Sequence, residues 1–184
     1  MHPRVCPWWI GYFLASPIRR LFQDPTAILS PYVKPGMTAL EPGPGMGFFT
    51  LELARLVGPA GRVIAVDVQP RMLSALRRRA RRAGVADRID ARLVEPGSMR
   101  LDDVAGAVDF ALAFAVVHEF RDDGGFFRQL AAALRPGGTV LLAEPRGHVD
   151  EERFAAELAS ATRAGLSAAN GPSIRSSHAA VLRR

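Results

Sequence analysis

Two stretches of this chain carry residues at spacings suited to chemistry. The first is Glu41-Pro42-Gly43-Pro44-Gly45-Met46-Gly47, followed further on by Asp67. Glycines at alternate positions let a backbone turn sharply and approach a ligand closely. A helix that opens directly after such a loop offers its free N–H groups to the same ligand. An acid at the end of the next strand accepts hydrogen bonds from the two ribose hydroxyls of an adenosine-type cofactor. A tight turn without a ligand and a helix-capping acid are the plainer alternatives for the glycines and for Asp67. The second stretch is a pair of short runs, His118-Glu119 and Glu144-Pro145-Arg146-Gly147-His148. Histidine titrates near neutrality and takes up protons there, so His118 and His148 are the candidates for acid–base work.

The loop spacing narrows the cofactor. Dinucleotide sites read GxGxxG; this loop reads GxGxG and is preceded by an acid, Glu41. A pyrophosphate is repelled by a carboxylate, whereas a cofactor with an ammonium and a sulfonium is not. The chain has no GxxxxGK[ST] run, which excludes a P-loop.

The elements that position these residues alternate in type. Thr38 to Glu41, Arg62 to Asp67, Arg88 to Val94, Val108 to Val117 and Thr139 to Ala143 read as strands. Arg62 to Asp67 is β-branched and almost continuously apolar, as a strand buried on both faces should be. Phe48 to Val57, Pro70 to Ala83, Gly124 to Leu134 and Glu151 to Ala164 read as helices, with apolar residues at helical spacing. Arg135-Pro136-Gly137-Gly138 is expected to stop the third. This alternation predicts parallel βαβ units with helices on both faces. In such sheets the ligand lies outside the carboxyl ends of the strands.

Four runs in order resemble the landmarks of class I S-adenosylmethionine-dependent methyltransferases. They are Leu40-Glu41-Pro42-Gly43-Pro44-Gly45-Met46-Gly47, Ala65-Val66-Asp67, Phe114-Ala115-Val116-Val117-His118-Glu119 and Leu134-Arg135-Pro136-Gly137-Gly138-Thr139-Val140. The resemblance implies a single α/β domain with a Rossmann-like, doubly wound, mostly parallel sheet of order 3-2-1-4-5-7-6. It places strands 6 and 7 within Gly171 to Arg183. It implies S-adenosylmethionine (SAM) as cofactor, with Gly43, Gly45 and Gly47 against its methionyl and ribose parts. Glu41 would face the ammonium and Asp67 the ribose hydroxyls. Val68 and Gln69 would flank the adenine, Ser98 would meet its edge, and Phe114 would lie beside the methionyl end. Family members often carry an acid where Ser98 stands, and Glu95 is the nearest substitute.

The expected division is a helical lid over residues 1–35 and a SAM-binding domain over 36–184. Trp9, Tyr12 and Phe13 of the lid, with Glu119 and Glu144, are expected to line a pocket for a small-molecule substrate. Packing on the sheet edge, or an amphipathic helix on a membrane surface, are alternatives for the aromatic segment. Relatives that methylate the adenine amine carry an Asn/Asp-Pro-Pro-Tyr-like motif after strand 4; here that place reads Ala115-Val116-Val117-His118. That departure argues against adenine N-methylation but leaves other RNA sites open, so an RNA substrate is the second reading, and SAM binding without transfer the third.

Composition sets the outer bounds. The chain has 184 residues and a net charge of +6. That length fits one domain. Lys34 is its only lysine, so the basic excess is arginine and reflects compositional bias as much as a nucleic-acid surface. Arg77, Arg78, Arg79, Arg81 and Arg82 are expected on a solvated helix face. The single cysteine, Cys6, permits no internal disulfide and no CxxC metal cage, so no metal is expected. No apolar run reaches the ~20 residues that span a bilayer. Proline and glycine interrupt the N-terminal apolar stretch, which is read as part of a cytoplasmic protein rather than a signal sequence. The oligomeric state has no sequence signature.

Overall fold

The computed structural model describes residues 23–184. The expectations for Cys6, Trp9, Tyr12 and Phe13 lie outside the described residues. In chain order the elements are α1 (Pro25–Leu29), β1 (Thr38–Pro42), α2 (Thr50–Val57), β2 (Arg62–Asp67), α3 (Pro70–Arg82) and β3 (Ile89–Leu93). They continue with β4 (Val108–Phe114), α4 (Asp123–Ala133), β5 (Leu134–Pro145), α5 (Glu151–Arg163), β6 (Ser167–Asn170) and β7 (Ser177–Arg183). Among the described residues the strands form one seven-stranded sheet of order β3-β2-β1-β4-β5-β7-β6. This is the Rossmann-like class I arrangement. The chain gathers into two compact units, residues 23–94 and Glu95–Arg184.

In the first unit β1 pairs with β2, and β2 with β3, both in parallel. β2 is buried from Val63 to Asp67, as its continuous apolar run predicts. α3 turns Met72, Leu73, Ala75, Leu76 and Ala80 inward and leaves arginines on its other face. Pro70 stands in its first turn, where a missing N–H costs nothing. Its last turn is basic, matching the negative end of the helix dipole. α1 belongs to the N-terminal segment read as a lid, yet Leu29 and Val33 are buried in the core. Asp24 caps that helix by accepting the Thr26 N–H at 2.9 Å, and the Thr26 hydroxyl donates to Glu52 of α2 at 2.9 Å.

In the second unit β4 and β5 are parallel, while β7 runs antiparallel to both β5 and β6. Phe110, Leu112, Phe126, Phe127, Leu130, Leu142 and Leu182 fill its core. Three expectations need correction here. α4 ends at Ala133, just before the run expected to stop it, but β5 begins at once at Leu134, so Arg135-Pro136-Gly137-Gly138 belongs to the strand expected to start only at Thr139. The register against β4 jumps across this run, which the strand absorbs as an irregularity. β4 stops at Phe114 and Val117–Glu119 forms a short 3-10 turn instead of more strand. β6 lies at Ser167–Asn170, before the stretch in which it was placed. Every residue of β6 is exposed, so it carries no apolar pattern to read.

Candidate functional site

β1 ends in the glycine loop, and that loop is pinned to β2. The Gly43 N–H donates to the Val66 carbonyl at 2.9 Å. Gly43, Gly45 and Gly47 all have positive φ, the region that only glycine enters freely. Two of these glycines serve different needs. A Cβ on Gly47 would stand 2.3 Å from Cδ1 of Leu76, a buried residue of α3. Among the described residues, a Cβ on Gly45 would meet nothing within 4 Å, so none of them crowds the backbone there.

Asp67 ends β2 and is buried. Its Oδ1 accepts the Gln69 N–H at 2.9 Å. Burial raises its carboxyl pKa to about 6, opposed by backbone N–H groups of Gln69, Gly45 and Val68. The loop glycine and the strand-end acid therefore meet through a hydrogen bond. Val68 and Gln69 follow, both half-buried. Glu41 is buried, and its Oε2 accepts the Thr50 hydroxyl at 2.6 Å. Thr50 is the first residue of α2 and fully buried, a role that the sequence reading missed. Arg79 also departs from its expectation. Its guanidinium donates to the Met46 carbonyl, so it braces the glycine loop instead of standing on a solvated face.

These groups fit SAM on two observations. A buried acid of raised pKa gains from hydroxyl donors that favour its ionised form. Among the described residues, the backbone at Gly45 is left uncrowded, which suits a ligand's close approach.

The second unit holds the acid–base residues. Ala115 follows β4 with φ +54, a conformation costly for an L-residue with a side chain. Its N–H donates to the Ala143 carbonyl at 2.7 Å. In the turn that follows, the N–H groups of Val116 and Val117 both donate to Glu144 Oε1, at 3.1 and 2.7 Å. Oε2 of Glu144 is bonded to Nδ1 of His118. The His118 ring stacks on His148, with centroids 5.5 Å apart and planes at 16°. His118 is half-buried and its pKa is raised, chiefly by the Glu144 hydrogen bond; burial opposes the rise, and the charges of Glu144, Glu119 and Glu157 add to it.

Glu157 of α5 was not singled out in the sequence, where it reads as one polar helix position among many. Its side chain is 0% exposed and lies 3.4 Å from the Arg153 guanidinium. Neither carboxyl oxygen has a hydrogen-bond partner. Burial and the nearby Glu144 charge push its pKa up to about 8, against the pull of Arg153.

The remaining expected residues are placed as follows. Glu144 is fully buried, and both its oxygens are hydrogen-bonded within the protein. Glu119 is half-buried, and its N–H donates to the Val116 carbonyl at 3.1 Å. Phe114 is half-buried at the end of β4. Ser98 is exposed in a turn, its N–H on the Glu95 carbonyl at 3.1 Å. His148 is exposed. Among the described residues, no helix is long and apolar enough to cross a membrane. Nor do three or more His, Cys, Asp or Glu residues group so as to hold a metal ion.

Comparison with known proteins supplies a family. A family described as "Methyltransferase domain" matches residues 33–174. The chain is 34% identical over 114 residues to a ribosomal protein L11 methyltransferase of Pelotomaculum thermopropionicum, covering 62% of this chain and 34% of that protein. It is 34% identical over 110 residues to an arsenite methyltransferase of Halobacterium salinarum, covering 60% and 27%. The chain thus spans about a third of the length of these curated relatives. Among solved structures, a SAM-dependent methyltransferase from Aquifex aeolicus superposes with a TM-score of 0.85, covering 97% of this chain and 98% of that one. At 22% identity this likeness concerns the fold.

Proposed function

The chain belongs to the methyltransferase-domain family, and from that membership we propose that it binds SAM and transfers its methyl group to a small molecule. The observation that carries the proposal is the meeting of Gly45 and Asp67 through a backbone hydrogen bond. Asp67 would take the ribose hydroxyls, and Glu41, steadied by Thr50, the methionyl ammonium. Gly43, Gly45 and Gly47 would let the backbone approach the cofactor. Val68, Gln69, Ser98 and Phe114 would complete its surroundings.

When bound, SAM supplies a methyl group on a positive sulfur. The protein then has only to orient an acceptor, exclude water and accept a proton where the acceptor carries one. His118 and His148 are the groups proposed for that proton. The aromatic residues Trp9, Tyr12 and Phe13, with Glu119, are the proposed substrate contacts. The short 3-10 turn after β4 supports a small acceptor over an adenine base, because it carries no Asn/Asp-Pro-Pro-Tyr-like run.

Incubation with methyl-labelled SAM tests the proposal against two panels, one of small hydroxyl, amine and thiol compounds and one of total RNA. Label in a small compound is expected. Label confined to RNA would overturn the small-molecule assignment. Saturable SAM binding with label in neither panel would favour a cofactor-binding protein without transfer.

A further inference from the structure

Glu144 uses its whole carboxylate inside the protein. Oε1 accepts two adjacent backbone N–H groups, and Oε2 holds one ring nitrogen of His118. The arrangement depends on the left-handed turn at Ala115, which aims the Val116 and Val117 N–H groups at one oxygen. Backbone strain kept at such a place is a known mark of functional sites. Resting on the methyl-transfer reading, we infer that Glu144 is a positioning residue: it keeps the His118 proton on Nδ1 and leaves Nε2 to take the proton of a phenolic or catecholic hydroxyl.

The chemistry of the pair sets the acceptor class. Neutral imidazole carries one proton, and the nitrogen bonded to a carboxylate keeps it. The other nitrogen then has its lone pair free. The groups facing His118 are Glu144 from β5, Glu119 from its own turn, Glu157 from α5 and His148 from the turn after β5. The hydrogen bond to Glu144 raises its basicity above that of free histidine, and the charges of Glu144 and Glu119 add to the rise. Such a base is matched to an O–H somewhat less acidic than itself, as in a phenol or catechol. An aliphatic alcohol is far too weak an acid, and a neutral amine needs no base before it attacks. In the step, the acceptor O–H bond breaks and its proton passes to Nε2. The oxygen pair forms the O–CH3 bond as the C–S bond breaks, sulfur keeps that bond's electrons as a neutral thioether, and the imidazolium returns its proton to water.

The test has two arms on the whole chain. The first needs no cofactor. Long-range proton–nitrogen NMR of histidine-labelled protein, with the signal assigned by His118→Gln, reads the tautomer and pKa of His118. The Nδ1–H form is expected, with a pKa above 6.5 that falls in Glu144→Gln. An Nε2–H tautomer in the unaltered protein would overturn the inference even if the variant failed to fold, and so would an unchanged pKa in a folded variant. The second arm follows methyl transfer from SAM to catechol across pH. His118→Ala should cut the rate roughly a hundredfold. Glu144→Gln should cut it roughly tenfold and move the acid limb to lower pH, a shift that mere loss of stability does not produce. Full activity of both variants, or an unmoved limb, would sink the pairing as a catalytic device. Transfer to amines, thiols or RNA but not to catechol would overturn the acceptor class while leaving the methyl-transfer reading intact.

Discussion

Asp67 links cofactor affinity to pH in a way that can be worked through. Its carboxyl titrates at about 6, because burial disfavours the charged form. At pH 7 about nine-tenths of it is ionised, and at pH 5 about one-tenth. If the ribose hydroxyls need the carboxylate, SAM affinity falls about tenfold over that interval, or about 1.4 kcal/mol. Asp67→Asn removes the charge. Each hydrogen bond to a charged acceptor is worth roughly 1.5–3 kcal/mol, so affinity at pH 7 should drop tenfold or more. The variant should also lose the pH dependence. Stability without cofactor moves the opposite way. The folded pKa lies above the unfolded value of 3.8, so the group's contribution is full below pH 3.8 and is lost as pH rises towards 6. Asp67→Asn should therefore be more stable than the unaltered protein at pH 7, by roughly 2–3 kcal/mol, while binding SAM more weakly. Calorimetric titration at pH 5, 6 and 7, beside urea unfolding of the free proteins, measures both. Affinity flat across pH, or the same slope in the variant, would dismiss Asp67 as the ribose acceptor.

The remaining expectations follow from burial and backbone geometry. Gly47→Ala should lower stability by about 2–4 kcal/mol in thermal or urea unfolding, since its Cβ meets buried Leu76 at 2.3 Å and φ is +84. Gly45→Ala meets no atom of the described residues, so its cost should be limited to about 1–2 kcal/mol of backbone strain, with weakened SAM binding. Equal destabilisation by the two would contradict their division of labour. Glu157, with a folded pKa of about 8 against 4.5, makes stability fall as pH rises from about 4.5 to 8. Glu157→Gln should flatten that decline in urea unfolding at pH 5 and pH 8; an unchanged pH slope would refute a neutral buried carboxyl.

The glycine loop, β2 and Asp67 were readable because each follows a local rule: glycine at a close approach, continuous apolar residues in a strand buried on both faces, an acid at the strand end. The second unit resisted the same reading for physical reasons. Ala115 is an ordinary alanine in sequence, and only the structure shows its φ of +54. Glu144 follows the strand-end rule, which suggested a ligand, yet its partners are two N–H groups and an imidazole 26–28 positions earlier. β6 was placed too late because a fully exposed strand carries no alternation to read. Arg79 looked like one more arginine in a cluster until the fold brought the Met46 carbonyl to it. Long-range partners decided each of these.

The central claim is that the Gly43–Gly47 loop and Asp67 hold SAM. Native mass spectrometry of the whole chain at neutral pH, with and without added SAM, tests it most directly. One SAM or S-adenosylhomocysteine per chain is predicted, and its loss in folded Asp67→Ala. A folded, unaltered protein that takes up neither, or a variant that keeps full occupancy, would contradict it.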